Sequence, residues 1–148
     1  MQEILVVVDM QNDFVTGPLG TPEAWTILPK VAEKVKNFPG RVLFTRDTHE
    51  ENYLESREGK ALPVPHCIRG SRGWEICPEL ETLRKEEPVD KPTFGSTGLG
   101  EVLRAADQYG EKIGKITLVG VCTDICVISN ALLLPAFLPG AEIAGDAA

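Results

Sequence analysis

Short apolar runs alternate along the chain with longer stretches in which apolar residues recur every three or four positions. The runs Glu3–Val8 and Ile116–Val121 are nearly continuous, which is typical of strands buried on both faces of a parallel sheet. Arg41–Thr45 predicts another strand of this kind. The periodic stretches Ala24–Phe38 and Gly98–Tyr109 predict helices.

Weaker patterns complete the predicted elements. A short helix is predicted over Pro78–Lys85, a brief strand over Pro88–Asp90, an apolar helix over Asp124–Phe137 and a last strand over Ala141–Ala144. Residues 46–77 are rich in polar residues, glycine and proline and have no clear period. We therefore expect a long functional loop there.

Strands that alternate with helices predict a single α/β domain over residues 1–148, with a mostly parallel, doubly wound sheet between two layers of helices. A chain of 148 residues with 43% hydrophobic and 25% charged content is long enough for one globular core. The net charge of -7 leaves no basic stripe for phosphates, so nucleic acid is not an expected partner. Without a bilayer-length apolar stretch or a basic signal-peptide start, we expect no membrane partner and a cytoplasmic location.

Reactive residues follow the predicted strands at their carboxyl ends, the edge where parallel sheets bind ligands. Asp9 follows the first strand, Asp47 and His49 the second, Lys91 the third, and Cys126 lies shortly after the fourth. Taken singly, each has an ordinary structural explanation, such as a turn cap, a solvated lysine or a buried cysteine. Together, a carboxylate, an ammonium and a thiol near a helix N-terminus can serve as base, electrostatic partner and nucleophile.

The cysteine spacing excludes a zinc knuckle and a thioredoxin-like motif, because it contains no Cys-x-x-Cys pair. The four cysteines, expected to be reduced, are Cys67, Cys77, Cys122 and Cys126. A redox pair of Cys122 and Cys126 is an alternative function, but it leaves Asp9 and Lys91 without a role.

Five motifs are spread from the first strand to the last predicted helix. In chain order they cover Val8–Phe14, Phe44–His49, Pro65–Cys67, Asp90–Phe94 and Gly120–Val127. In this order they resemble the isochorismatase-like cysteine hydrolases, and among them the nicotinamidases. The resemblance extends over nearly the whole chain.

The resemblance implies a catalytic triad of Asp9, Lys91 and Cys126. Cys126 would attack an amide carbonyl carbon and expel ammonia, and water would hydrolyse the resulting thioester. Asp9 would carry the proton, and Lys91 would supply a fixed positive charge. The backbone N–H groups of Cys122 and Cys126 would form the oxyanion hole, with a cis peptide between Val121 and Cys122.

A metal site is also implied. Asp47, His49 and His66 match the family ligands, and one carboxylate with two imidazoles suits Zn, Fe or Mn. Glu55 stands where many nicotinamidases have a further histidine. It is therefore a further candidate ligand, with a solvated side chain as the alternative.

The substrate pocket is less well defined by the motifs. Phe14 stands where the family packs a ring against the substrate, and Trp74 is a second candidate for substrate binding. Tyr53 and Phe94 are possible walls for which ordinary packing is the alternative. Thr48 stands where a nicotinamidase usually has tryptophan, which leaves the substrate open.

The leading hypothesis is a nicotinamidase of NAD metabolism, with a small-molecule amide as substrate and a divalent metal as cofactor. One alternative is a related hydrolase acting on another small amide, a carbamoyl compound or isochorismate. Another is an inactive metal-binding scaffold. Family members continue beyond the position of Ala148 through a further helix that covers the sheet. We therefore expect a fold that lacks this helix, and a protein that is either weakly stable or a homo-oligomer.

Overall fold

A parallel sheet forms the centre of the computed structural model, which describes residues 1–91, 97–120, 140 and 142–145. Its strands in these ranges are β1 (Gln2–Val8), β2 (Arg41–Asp47), β3 (Val89–Lys91), β4 (Ile113–Gly120) and β5 (Glu142–Gly145). Their order is β3-β2-β1-β4-β5, and each neighbouring pair is parallel. The chain winds outward from β1 on one side and then on the other, which confirms the predicted doubly wound sheet.

Helices lie in the segments that connect the strands. Within the described ranges they are α1 (Asn12–Val15), α2 (Pro22–Asn37), α3 (Arg57–Ala61), α4 (Pro78–Glu81) and α5 (Thr97–Tyr109). The start of α2 is fixed by Thr21, whose hydroxyl accepts a hydrogen bond from the Ala24 N–H at 3.1 Å. The helix predicted over Asp124–Phe137 lies outside the described residues. None of the described helices is both long and apolar enough for a membrane span.

The hydrophobic core lies on both faces of β1. Leu5 and Val7 pack with the buried residues of α2, whereas the alternate residues of β1 pack with Leu99 and Leu103 of α5. Every side chain from Ile4 to Val8 is 0% exposed. Burial on both faces explains why this strand is a continuous apolar run, and it confirms the three-layer prediction.

The expectation that residues 46–77 form a loop without regular structure is wrong in part. β2 continues to Asp47, a 3-10 turn covers Tyr53–Glu55 and α3 follows it. Ser56 directly precedes α3 and caps it, since its hydroxyl accepts a hydrogen bond from the Gly59 N–H at 3.0 Å. A helix of five residues is held by this local cap, and it is too short to leave a helical period in the sequence.

At the carboxyl edge of the sheet, β1 and β4 approach each other closely at Gly120. This is also where the strand order reverses. Gly120 pairs with Val8 and has a φ of +148°. A Cβ atom on Gly120 would lie 2.2 Å from the Val8 carbonyl oxygen, so only glycine fits. Asp9 follows Val8 with a φ of +53°, which turns the chain out of the sheet. In doubly wound sheets such a switch point is where the ligand crevice opens.

Candidate active site

A buried ion pair joins Asp9 and Lys91. The Lys91 ammonium lies 2.8 Å from Asp9 Oδ2, and both side chains are 0% exposed. The other carboxylate oxygen of Asp9 accepts a hydrogen bond from the Thr45 hydroxyl at 2.8 Å. The register of β2 with β3 puts Lys91 opposite Asp47, at the same edge as Asp9. The sheet therefore brings together two of the three predicted triad residues.

Lys91 also approaches the predicted metal site. Its ammonium lies 4.0 Å from Asp47 Oδ1, so one cation stands between two carboxylates that are 1% exposed or less. With His49 and His66 neutral, as metal binding requires, one ammonium against two carboxylates leaves a net negative charge among the described residues of this buried group. Buried charge of this kind is costly unless it is compensated, and a divalent cation would compensate it.

Asp47, His49 and His66 form one buried group. His49 Nε2 lies 3.0 Å and His66 Nε2 lies 3.4 Å from Asp47 Oδ2. His66 Nδ1–H donates to the Val64 carbonyl at 2.7 Å, which fixes the ring with Nε2 directed toward Asp47. The three residues come from two chain segments, the end of β2 and the loop before Cys67.

The group fits a divalent metal ion. Its ligand atoms lie within 4.8 Å of one another. Ligands about 2.1 Å from a tetrahedral ion are about 3.4 Å apart, close to the separations found here. Asp47 Oδ1 is buried and accepts no hydrogen bond from the described residues, so it too is available as a donor. Two imidazoles and a carboxylate are a ligand set for Zn, Fe or Mn, and they leave coordination positions for other molecules.

The electrostatics of this group keep Asp47 ionised. Burial alone would raise the pKa of Asp47, but hydrogen bonds with His49 and His66, together with the charge of Lys91, lower it to about 2. Asp47 is therefore a carboxylate at every pH at which the histidines can bind a metal. This is the protonation state that a metal ligand needs.

Aromatic rings frame the two histidines. Tyr53 lies 4.6 Å from the His49 ring and 5.1 Å from the His66 ring, measured between centroids. Its hydroxyl donates to the Leu62 carbonyl at 2.8 Å. Phe14 packs edge-on against His66 at 5.5 Å and is 4% exposed. Phe14 thus borders the candidate site, and Tyr53 is a packing wall of the histidine pair.

The structure does not bring Glu55 into the metal group. Glu55 ends the 3-10 turn and is exposed, and it is not one of the described residues whose ligand atoms converge. Solvation, the alternative given for this residue, matches its position. The turn instead directs Tyr53 inward, where it covers the histidines.

Trp74 is held by residues of β2 and of the segment that follows it. Its indole N–H donates to the Thr48 hydroxyl at 2.9 Å, and the Arg46 guanidinium stacks on its ring at 3.9 Å. Arg46 also forms two hydrogen bonds with the Asp90 carboxylate, at 2.6 and 3.0 Å. These contacts connect Trp74 with the strand that carries Lys91. The substrate-binding role of Trp74 stays a prediction.

Sequence reasoning missed Thr45 and Gln11. Thr45 is the hydroxyl partner of Asp9, and the available signal was its position at the end of a buried strand beside Asp9. Gln11 is 0% exposed, and its side chain forms hydrogen bonds with the backbone of Asp47 and with the Trp74 carbonyl. Its signal was a polar residue between the apolar Met10 and Phe14 of the first motif.

The remaining predicted site residues lie outside the described residues. They are the nucleophile Cys126, the oxyanion-hole partner Cys122 with its predicted cis peptide, and Phe94. The two cysteines follow Gly120, which pairs with Val8 directly before Asp9.

Comparison with protein families gives a match to the Isochorismatase domain over residues 3–143. The chain belongs to the isochorismatase family. It is a hydrolase of that family. The buried Asp9, Lys91 and metal-ligand group described above lie at the carboxyl edge of its sheet.

Solved structures and curated relatives agree with this assignment. The zinc-bound pyrazinamidase of Pyrococcus horikoshii is 30% identical and superposes with a TM-score of 0.77, covering 98% of this chain and 83% of its own. The N-carbamoylsarcosine amidase of Thermoplasma acidophilum is 27% identical, with a TM-score of 0.76 and coverages of 98% and 81%. The nicotinamidase/pyrazinamidase of Mycobacterium tuberculosis is 27% identical over 86% of this chain and 75% of its own length.

Proposed function

We propose that this protein is a metal-dependent cysteine amidase that converts nicotinamide to nicotinate and ammonia. The observation that carries the proposal is the buried Asp9–Lys91 ion pair next to the Asp47, His49 and His66 group. Similarity to a nicotinamidase and to a zinc-bound pyrazinamidase supports this substrate class. Buried charged groups contribute little to stability. An ion pair and three metal ligands clustered at one edge of the sheet are therefore typical of a binding site for a small polar substrate.

In the proposed first half-reaction, Cys126 is the nucleophile. Its thiol proton passes to the Asp9 carboxylate while sulfur bonds to the amide carbonyl carbon. The oxyanion that forms accepts hydrogen bonds from the backbone N–H groups of Cys122 and Cys126. Asp9 then gives the proton to the amide nitrogen, the C–N bond breaks and ammonia leaves. The positive charge of Lys91 stabilises the Asp9 carboxylate and the oxyanion in these steps.

Hydrolysis of the thioester repeats the same proton movements. Asp9 accepts a proton from water as the water oxygen bonds to the carbonyl carbon, and the proton returns to sulfur as the C–S bond breaks. The net reaction consumes one amide and one water. A divalent ion held by Asp47, His49 and His66 would orient a water molecule or the ring nitrogen of the substrate.

Ammonia release from nicotinamide tests the proposal. The wild-type protein is compared with Cys126→Ala and Asp9→Asn, and the metal content of each preparation is measured in parallel. We expect ammonia only from the wild type, with equal metal in all three, because neither variant removes a proposed metal ligand. Wild-type ammonia release no faster than that of Cys126→Ala would reject nicotinamide as the substrate.

A second candidate is a carbamoyl compound or another small polar amide. A cavity of about 290 Å³ beside the site contains Lys91 and His49 in its lining. Its other lining residues are mainly polar and include Glu50, Arg69 and Asp90. Arg69, whose side chain is 54% exposed in this lining, offers a cation to a substrate carboxylate, which favours a charged substrate such as an N-carbamoyl amino acid. Thr48, in place of the tryptophan usual in nicotinamidases, favours the same candidate.

A substrate panel distinguishes the candidates. Nicotinamide, pyrazinamide and N-carbamoyl amino acids are compared by kcat/KM for ammonia release. Preference for the N-carbamoyl compounds, lost in Arg69→Gln, would support the second candidate. A protein that binds one metal ion but hydrolyses no member of the panel would be the inactive scaffold. A cytoplasmic role in NAD metabolism and homo-oligomeric assembly belong to the first proposal, and analytical ultracentrifugation tests the assembly.

A further inference from the structure

Gln11 forms three side-chain hydrogen bonds at the end of β2. Its carbonyl oxygen accepts from the Asp47 N–H at 2.9 Å. Its NH₂ group donates to the Asp47 carbonyl at 2.9 Å and to the Trp74 carbonyl at 2.8 Å. We call this set the Gln11 clamp. The side chain is 0% exposed, so the clamp satisfies a polar group that would otherwise be costly to bury.

The Gln11 clamp replaces the hydrogen bonds that a further residue of β1 would otherwise make with Asp47. The β1–β2 ladder ends at Val8 and Thr45, because Asp9 then turns away with a φ of +53°. The backbone N–H and C=O of Asp47 consequently have no strand residue of β1 to pair with. The amide of Gln11 provides the donor and the acceptor that a strand neighbour would have provided. The turn that aims the Asp9 carboxylate at Lys91 is thus compensated two residues later.

We propose that Gln11 is a positioning residue for the metal ligand Asp47. With β3 on one side and the Gln11 clamp on the other, the Asp47 backbone is held from both directions. Its carboxylate is thereby fixed near His49 and His66 before any ion arrives. The third bond connects this point to Trp74, so the clamp also fixes the segment that covers the end of β2. Preorganised ligands bind a metal more tightly because less ordering is needed on binding.

Two Gln11 variants and a neighbouring control separate positioning from general stability. Gln11→Met removes all three bonds at nearly constant volume, and Gln11→Glu keeps the acceptor for the Asp47 N–H. The control is Asn12→Ala. The Asn12 side-chain amide also donates a hydrogen bond to the segment near Trp74, at the Arg72 carbonyl (2.8 Å), but within the described part of the chain it forms no hydrogen bond with Asp47. Asn12→Ala therefore removes a similar side-chain hydrogen bond that does not involve the proposed metal ligand Asp47.

The measurements are the Kd for Zn²⁺, by competition with a chromophoric chelator, and the visible spectrum of bound Co²⁺. We expect Gln11→Met and Gln11→Glu each to raise the Kd about 10- to 100-fold and to change the Co²⁺ bands, because both variants lose the NH₂ donor to the Asp47 and Trp74 carbonyls. Asn12→Ala should leave both unchanged. Variants of Gln11 that melt earlier but bind Zn²⁺ and Co²⁺ like the wild type would overturn the inference. If Gln11→Met does not fold, the Zn²⁺ Kd and the Co²⁺ spectrum of Gln11→Glu test the inference instead.

The inference rests on the proposed metal site but not on the proposed substrate. If the wild type binds neither Zn²⁺ nor Co²⁺, the metal site and the inference fail together. If the wild type binds both ions and the Gln11 variants bind them equally well, only the inference fails. Inactivity toward nicotinamide affects neither result, since no substrate is present.

Discussion

The Lys91 ammonium lies 2.8 Å from Asp9 Oδ2 at a point where neither side chain is exposed to solvent. Without the Lys91 ammonium, the Asp9 carboxylate would be a buried charge that has lost its ion-pair partner. This relationship connects stability with the proposed chemistry, because the carboxylate proposed to move protons is held in place by the same cation.

A double-mutant cycle tests this coupling. Lys91→Met should lower the free energy of unfolding by about 3–5 kcal/mol, because it leaves the Asp9 carboxylate buried and unpaired. Asp9→Asn keeps a residue that tolerates positive φ and removes the charge. In urea unfolding, the double variant should lose less than the sum of the two single variants. Simple additivity would show that the two residues do not stabilise each other.

Removing one histidine should abolish metal-dependent stabilisation. At a zinc concentration of 100 times Kd, the wild type should gain about 2.7 kcal/mol of stability. His66→Asn should gain little, because it removes one of three converging ligands. Glu55→Gln is the matched control, since Glu55 is exposed. A loss of zinc stabilisation in Glu55→Gln would return this residue to the ligand set.

Alkylation should distinguish the proposed nucleophile from the buried thiols. Cys67 and Cys77 are 0% and 2% exposed. Burial and the nearby Glu79 raise the pKa of Cys77 to about 12, so it stays a thiol near neutral pH. Iodoacetamide at neutral pH should therefore label Cys126 first, as peptide mapping would show. Equal labelling of Cys126 and Cys77 would speak against an activated nucleophile.

Cys77 should also make the protein sensitive to alkali. Its folded-state pKa lies above the ordinary value of 9.0, so its contribution to stability is complete below about pH 9. That contribution is lost as the pH rises toward about 12, because the unfolded thiol ionises and the folded one does not. Cys77→Ser should show a flatter fall in unfolding free energy between pH 9 and about 12. Parallel curves for the two proteins would contradict this prediction.

Gly120→Ala should be strongly destabilising. The added Cβ would lie 2.2 Å from the Val8 carbonyl oxygen, and the φ of +148° is unfavourable for alanine. We expect a loss of at least about 2 kcal/mol in chemical denaturation. Gly70→Ala is the control, because Gly70 has a φ of +82° but nothing within 4 Å of the added atom. Equal losses in the two variants would mean that backbone conformation, and not the clash with β1, is responsible.

Much of the fold follows from the chain pattern alone. The continuous apolar run at Ile4–Val8 predicts a strand buried on both faces, and the structure confirms it. The period of Gly98–Tyr109 predicts α5 to within one residue. Such signals are readable because burial repeats along a long element, at every residue from Ile4 to Val8 of β1 and on one face of α5. The short elements α1 and α3 escape this reasoning, since they depend on a few local hydrogen bonds.

The sequence by itself determined the residue types of the site and their order at the strand ends. It supplied the carboxylate of Asp9, the lysine at 91 and the ligand set of Asp47, His49 and His66. Only the tertiary structure decided which of these groups meet, because distances depend on strand register and loop path. Glu55 stands at the position of a family ligand, yet its turn leaves it in solvent. Gln11 belongs to the first motif, but nothing in that motif indicates that it contacts Asp47. It lies against Asp47 because the turn at Asp9 leaves that ligand's backbone without a strand partner.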